Sequence, residues 1–224
     1  MTDKIKGAIF DMDGTLVNSL FFWDILWERI GEDFLGGKSF RPTDEEDKNM
    51  RTMTLYDSMC YLNSIYHITP DDGTLAEYAL DMLGKFYVTD VKLKNGVMDF
   101  LAYCKDKNIK MCIASASTRE HIKSVLANLH IDSYFAEIFS CEEFGNGKEA
   151  PDIYLAAMEY LGTKNEETCV FEDSLTAIKT VKKIGMRTVA IYDKYNYGQE
   201  EMKVIADEYI AGGETLLKLI KKNT

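Results

Sequence analysis

Nowhere does this chain carry a run of about 18 apolar residues, which excludes a membrane-spanning helix. Basic residues are in deficit: 26 Lys and Arg face 37 Asp and Glu, a formal net charge of −11. That balance excludes non-specific nucleic-acid binding and an anionic membrane as partners. Any anionic substrate then needs local positive charge or a metal. No C-x-x-C pair occurs; the five cysteines, Cys60, Cys104, Cys112, Cys141 and Cys169, are scattered and odd in number. They read as reduced, mostly buried thiols. Histidine is scarce too, and His67, His121 and His130 lack the spacing of a zinc site. Nothing at the N-terminus reads as a targeting leader, so a cytoplasmic location is expected, for a chain read as a monomer.

What is present is concentrated near the start. In IKGAIFDMDGTLVNS, Ile5 to Ser19, a short apolar run ending at Phe10 has the composition of a buried strand. Asp11 and Asp13 follow it, then Gly14 and Thr15. Asp-Gly alone is a common turn signal. An EF-hand loop counted from Asp11 needs glycine and glutamate where Leu16 and Phe22 stand, so calcium of that kind is excluded. A strand that delivers two acids to its carboxyl end is a place to hold a cation in an open α/β sheet.

From about Asn95 onward, apolar strands alternate with amphipathic helices. Strands are expected at Ile109–Ser115, Tyr134–Cys141, Thr168–Glu172, Arg187–Ile191 and around Tyr209-Ile210. Helices are expected around Val97–Cys104 and Ile122–Leu129, from Pro151 to a stop at Gly162, from a cap at Ser174 to Gly185, and over Thr215–Lys222. The alternation predicts a parallel, doubly wound α/β sheet. Asn18 to Asp90 differs: its apolar residues recur only at helical spacing, as in Phe22, Leu26 and Ile30. The expectation is therefore a core of residues 1–17 and 91–224 and an all-helical cap of residues 18–90. Inserted directly after the acid pair, that cap is placed to act as a lid.

Other strand ends carry chemistry. Ser115 ends the second strand, where a hydroxyl suits an anion or simply caps a helix. Lys148 lies in GNGKEAPDIY and reads alone as a solvated lysine. Glu172 and Asp173 follow the fourth strand and resemble the second half of a metal site, with helix capping as the alternative. Gly145, Gly147 and Ala150 fit G-x-G-x-x-A, but Glu142, Glu143 and Phe144 separate them from the strand and Glu149 would repel a pyrophosphate. A Walker loop fails because Glu142 stands where its first glycine belongs.

Taken together, these positions resemble the haloacid dehalogenase superfamily of aspartate-nucleophile phosphotransferases. The likeness is greatest to the branch with a helical cap after the first strand, which holds β-phosphoglucomutase-like phosphatases. DMDGTL at Asp11–Leu16 matches its first motif, Ser115 the second, Lys148 within K-x-A-P-D-I-Y the third and Glu172-Asp173 the fourth. Glu149 and Asn95 depart from the family's prolines. The resemblance implies a Rossmann-like core and hydrolysis of a small phosphate ester through an aspartyl-phosphate.

In that scheme Mg²⁺ is held by Asp11, the Asp13 carbonyl, Asp173 and Glu172. Ser115 and Lys148 hold the phosphate, Asp11 attacks, and Asp13 serves as acid and base. Dehalogenation is set aside because halide needs no such second acid. A sugar-phosphate mutase is the alternative, but the family's cap histidine is missing from Asn18–Gly36, with Trp23 at its place. Within an aromatic first cap helix, Asn18, Trp23 and, further on, Arg51 are candidates for touching the leaving group.

Overall fold

The computed structural model describes residues 4–51 and 53–221. In chain order the first elements are β1 (Gly7–Phe10), β2 (Val17–Asn18), α1 (Phe22–Phe34), α2 (Asp44–Met50), α3 (Leu55–Tyr66) and α4 (Asp72–Thr89). Next come β3 (Lys92–Leu93), α5 (Val97–Asp106), β4 (Lys110–Ser115), α6 (Arg119–Asn128), β5 (Glu137–Ser140) and α7 (Asp152–Leu161). The remainder is β6 (Thr168–Glu172), α8 (Leu175–Lys183), β7 (Arg187–Ile191), α9 (Gln199–Ile205), β8 (Glu208–Ile210) and α10 (Lys218–Lys221). The chain divides into two compact units, one built up to Leu20 and from Val91 onward, the other Phe21–Asp90.

The larger unit is a six-stranded sheet in the order β5-β4-β1-β6-β7-β8, every neighbouring pair parallel. Side chains alternate across it, as the pleat requires. Ile9, Cys112 and Val170 pack on one face with Ile153 and Ala157 of α7 and Ala177 and Val181 of α8. Phe10 and Phe171 turn to the other face, stacked at 4.4 Å, with Phe100 of α5 edge-on to both. This is the doubly wound α/β architecture. After β1 the chain goes to β4 on one side and returns to β6 on the other. The carboxyl end of β1 is therefore the topological switch point, where such sheets open a crevice. A second, two-stranded ribbon pairs β2 with β3, Asn18 opposite Lys92.

Several boundaries differ from those expected. The strand expected at Tyr134–Cys141 shortens to β5, because Asp132–Tyr134 and Cys141–Glu143 wind as 3₁₀ turns. Pro151 is the residue before α7 and not its first helical one. Ser174 precedes α8 without a capping hydrogen bond from its side chain; its own N–H instead donates to Glu172 Oε2 at 3.3 Å. The last helix reduces to α10, since Lys218, Leu219 and Ile220 bond three residues back; Lys222 lies outside the described residues. Gly162 ends α7 in the left-handed region at φ 68°, as a stop there requires.

The smaller unit holds α1 to α4. Thr43 and Glu46 form a capping box at α2, Thr54 caps α3 and Asp71 caps α4. Its interior carries Phe22, Leu26, Ile30, Met59, Leu62, Leu75 and Phe86, the same stripes that the sequence spacing marks. Among the described residues no helix is long and apolar enough to cross a membrane.

Candidate active site

The turn after β1 is tied by three main-chain N–H groups, of Thr15, Leu16 and Val17, all donating to the Met12 carbonyl. Gly14 closes it at φ +76°, a conformation that favours glycine. The Asp11 N–H continues the β1–β6 ladder by bonding Phe171 O at 3.0 Å. That register brings Asp11 beside the residues that leave β6. Asp11, Glu172 and Asp173 are all buried and each offers a carboxylate oxygen within 4.8 Å of the others.

Lys148 reaches this cluster from the loop after β5. Its Nζ pairs with Asp11 Oδ1 and, at 2.5 Å, with Glu172 Oε1. The loop is fixed by Arg119, whose guanidinium engages Glu143 and lies 2.9 Å from Glu137. It is also fixed by Glu149, which accepts the Gly147 N–H at 3.0 Å while its carbonyl accepts the Thr180 hydroxyl at 3.1 Å. Glu149 thus supplies by hydrogen bonding some of the stiffness that a proline would supply covalently.

Three buried carboxylates against one ammonium leave an excess of negative charge. Burial pushes the Glu172 carboxyl up to about 7, against the pull of Lys148 and with the help of Asp11. Asp173 is raised well above the carboxylate range by burial, then by Asp11 and Glu172. For Lys148 burial disfavours the ammonium, but Asp11 and Glu172 outweigh it and hold the proton on. Tyr154 keeps its proton chiefly because it is buried and then because Glu172 is beside it, and it donates to Glu172 Oε1 at 2.9 Å. Burial pushes the Cys141 thiol up to about 11, which rules it out as a thiolate nucleophile near neutrality.

Asp13 has hydroxyl partners. Its carboxylate accepts from the Ser19 hydroxyl at 2.7 Å and the Ser117 hydroxyl at 2.8 Å. Ser115, buried at the end of β4, accepts the Ser117 N–H at 3.1 Å, so its own hydroxyl proton can be donated elsewhere. The structure therefore links Ser115 and Asp13 through Ser117. Ser19, Ser117, Tyr154 and Asn196 (which bonds Asp173) escape the sequence reading, although Ser19 and Tyr154 lie inside stretches it singled out.

The three leaving-group candidates belong to different units. Asn18 is exposed in β2 and belongs to the larger unit. Trp23 and Arg51 meet inside the smaller one, the guanidinium 5.4 Å from the ring centroid. Asp47 completes their cluster, accepting from Arg51 Nε at 2.8 Å and from Trp27 Nε1 at 3.1 Å. The i,i+4 spacing of Asp47 and Arg51 was the available signal.

Residues 5–185 match the family described as haloacid dehalogenase-like hydrolase, and the chain belongs to that family. It is an enzyme, a hydrolase. The Phosphorylated carbohydrates phosphatase of Thermotoga maritima is 25% identical over 187 residues, 83% of this chain and 84% of that one. The Beta-phosphoglucomutase of Bacillus subtilis is 23% identical over 213 residues, 84% of this chain and 83% of that one. The fold is shared with CbbY from Rhodobacter sphaeroides, solved in complex with phosphate, at a TM-score of 0.75 and 18% identity over 92% of this chain and 93% of that one.

Proposed function

We propose that the chain is a Mg²⁺-dependent phosphoric monoester hydrolase acting on a small phosphorylated carbohydrate through an aspartyl-phosphate on Asp11. The observation that carries this reading is the Lys148 ammonium lodged between Asp11 and Glu172 in an otherwise acidic, buried cluster. An ammonium there can receive a phosphate oxygen next to a carboxylate nucleophile.

The donor set fits a hard divalent cation: it is all oxygen, buried and in negative excess. Asp11, Asp173 and the Asp13 carbonyl would hold Mg²⁺, with Glu172 assisting. When bound, Mg²⁺ neutralises phosphate charge that would otherwise repel the nucleophile. Lys148 and the Ser115 hydroxyl bind the remaining phosphate oxygens. Asp11 attacks phosphorus, and the P–O bond to the leaving alcohol breaks. Asp13 gives that oxygen a proton and then takes one from the water that cleaves the acyl phosphate. Ser19 and Ser117 orient the Asp13 carboxyl for both transfers. The helical unit would act as the lid that selects the leaving group. In this reading the partner is a small-molecule phosphate ester, with no nucleic acid or membrane involved.

The test is phosphate release from a panel of sugar phosphates with Mg²⁺, for wild type and Asp11→Asn. The variant keeps its shape but loses its nucleophile, and turnover should fall by at least about 10³-fold, several kcal/mol of barrier. Asp11→Asn turnover within about tenfold of wild type would reject the assignment. Primer-dependent conversion of β-glucose 1-phosphate to glucose 6-phosphate, followed by phosphorus NMR, would replace hydrolase by mutase.

A further inference from the structure

Asp173 does not hold its own position. Its Oδ1 meets the Thr15 hydroxyl at a long 3.4 Å, which is a weak bond. Its firm partner is Asn196, from the loop after β7. One amide nitrogen, Asn196 Nδ2, donates to Asp173 Oδ2 at 2.9 Å and to the Asp173 main-chain carbonyl at 2.9 Å. An amide has two N–H bonds on that nitrogen, so both contacts can be made at once. Binding the carbonyl and carboxylate of one residue together fixes that residue's side-chain rotamer. Oδ2 is thereby engaged, while Oδ1 meets the Thr15 hydroxyl.

The loop that presents Asn196 is held with unusual thoroughness for a surface segment. Asn196 Oδ1 accepts the Tyr197 N–H, and its own N–H donates to Asp193 O. Gln199 Nε2 donates to Asp193 O at 3.1 Å and Asn196 O at 3.3 Å. The buried Asp193 carboxylate pairs with Lys94 at 2.8 Å, and Lys94 also donates to Tyr192 O at 3.2 Å. Gly198 lets the loop press on α8, since a Cβ there would stand 2.5 Å from Leu175 Cδ2. A buried ion pair costs desolvation and repays it in fixed geometry. Here the geometry it fixes ends on Asp173.

We propose that Asn196 is a positioning residue for divalent-cation binding, acting through Asp173. The proposal rests on the reading of Asp11, Glu172 and Asp173 as a cation site. Outer groups that orient metal-binding carboxylates tune how tightly the metal is held.

The experiment measures Mn²⁺ binding directly, by the electron paramagnetic resonance signal of free Mn²⁺, on the full chain. Wild type, Asn196→Ala and Asp173→Asn are compared, with folding checked by circular dichroism. Asn196→Ala should weaken Mn²⁺ by about 10- to 100-fold and raise the Mg²⁺ needed for half-maximal p-nitrophenyl phosphate hydrolysis in step. Activity lost at low Mg²⁺ should return at high Mg²⁺, with KM for the ester shifting less than about threefold. Folded Asn196→Ala binding Mn²⁺ within about twofold of wild type, while Asp173→Asn loses it, overturns the proposal and leaves the cation site standing. Asp173→Asn binding Mn²⁺ like wild type overturns the cation site and the proposal with it. Should Asn196→Ala not fold, Asn196→Ser, too short to make both contacts, faces the same two criteria.

Discussion

Gly14 lies directly under the Asp173 carboxylate: a Cβ on Gly14 would stand 2.1 Å from Oδ2 and 2.7 Å from Cγ. The first turn of the chain and the end of β6 therefore touch through an α-carbon, which lets main-chain groups near Asp13 approach the acidic cluster. Gly14→Ala meets two penalties, the overlap and a left-handed backbone at φ +76°, the latter alone costing about 1–2 kcal/mol. The variant should melt lower and need more Mg²⁺ for activity. A wild-type melting temperature together with a wild-type Mg²⁺ titration would show that the contact can open without cost.

Asp13→Asn should discriminate between substrates by leaving group. An alkyl phosphate needs a proton on the departing oxygen, whereas p-nitrophenolate leaves without one. The loss on a sugar phosphate should exceed the loss on p-nitrophenyl phosphate by about tenfold or more, within the span of general acid catalysis. Because Ser19 and Ser117 hold both Asp13 oxygens, Ser117→Ala should show the same pattern more weakly. Equal losses on both ester types, with phosphoryl transfer rate-limiting, would reduce Asp13 to a structural residue.

The parts of this molecule that were legible in its sequence share a physical cause. Buried strands such as Thr168–Glu172 declare themselves by apolar runs. Helices such as α7 and α8 declare themselves by stripes at helical spacing and by glycine stops. Helix α2, DEEDKNM, has almost no stripe, and its Thr43–Glu46 capping box is seen in the fold. Helix α9, QEEMKVI, buries Met202 alone. The two-residue strands β2 and β3 are too short to carry a period at all. Asp11, Glu172 and Asp173 could be singled out because they sit at strand ends within motifs, and Lys148, in the loop after β5, only because it lies in a motif. Asn196 was not, since its link to Asp173 spans 23 positions and depends on a loop whose path only the fold determines.

The acidic cluster makes stability and cation binding depend on pH together. Glu172 moves from an ordinary 4.5 to about 7 in the folded chain, and Asp173 is raised as well, both chiefly by burial. A group raised on folding contributes stability that is fully present below its unfolded pKa and is lost as pH rises through the folded one. The metal-free protein should therefore lose stability between pH 4.5 and about 7. A cation binds the ionised cluster and returns what was lost. The rise in melting temperature on adding Mg²⁺ should be larger at about pH 8 than at about pH 5. An equal or smaller rise at the higher pH would contradict the cluster's assignment.

Within the helical unit, Asp47 and Arg51 form a buried ion pair, their side chains 6% and 9% exposed. Asp47 also accepts from Trp27 Nε1 at 3.1 Å, and Arg51 lies over Trp23. Removing one partner strands a buried charge, whereas removing both removes the need for either. Asp47→Ala should destabilise the protein by about 3–5 kcal/mol. The double variant Asp47→Leu with Arg51→Met should lose less than Asp47→Ala alone, an interaction a double-mutant cycle can isolate. Trp23 and Trp27 are the chain's only tryptophans, so fluorescence-monitored denaturation reads this cluster directly. Losses that simply add across the two positions would mean that the pair is solvated and contributes little. If the helical unit selects the leaving group, Arg51→Met should also raise KM for a sugar phosphate more than for p-nitrophenyl phosphate, which offers few groups to grip. A uniform change in both KM values would confine Arg51 to holding its own unit together.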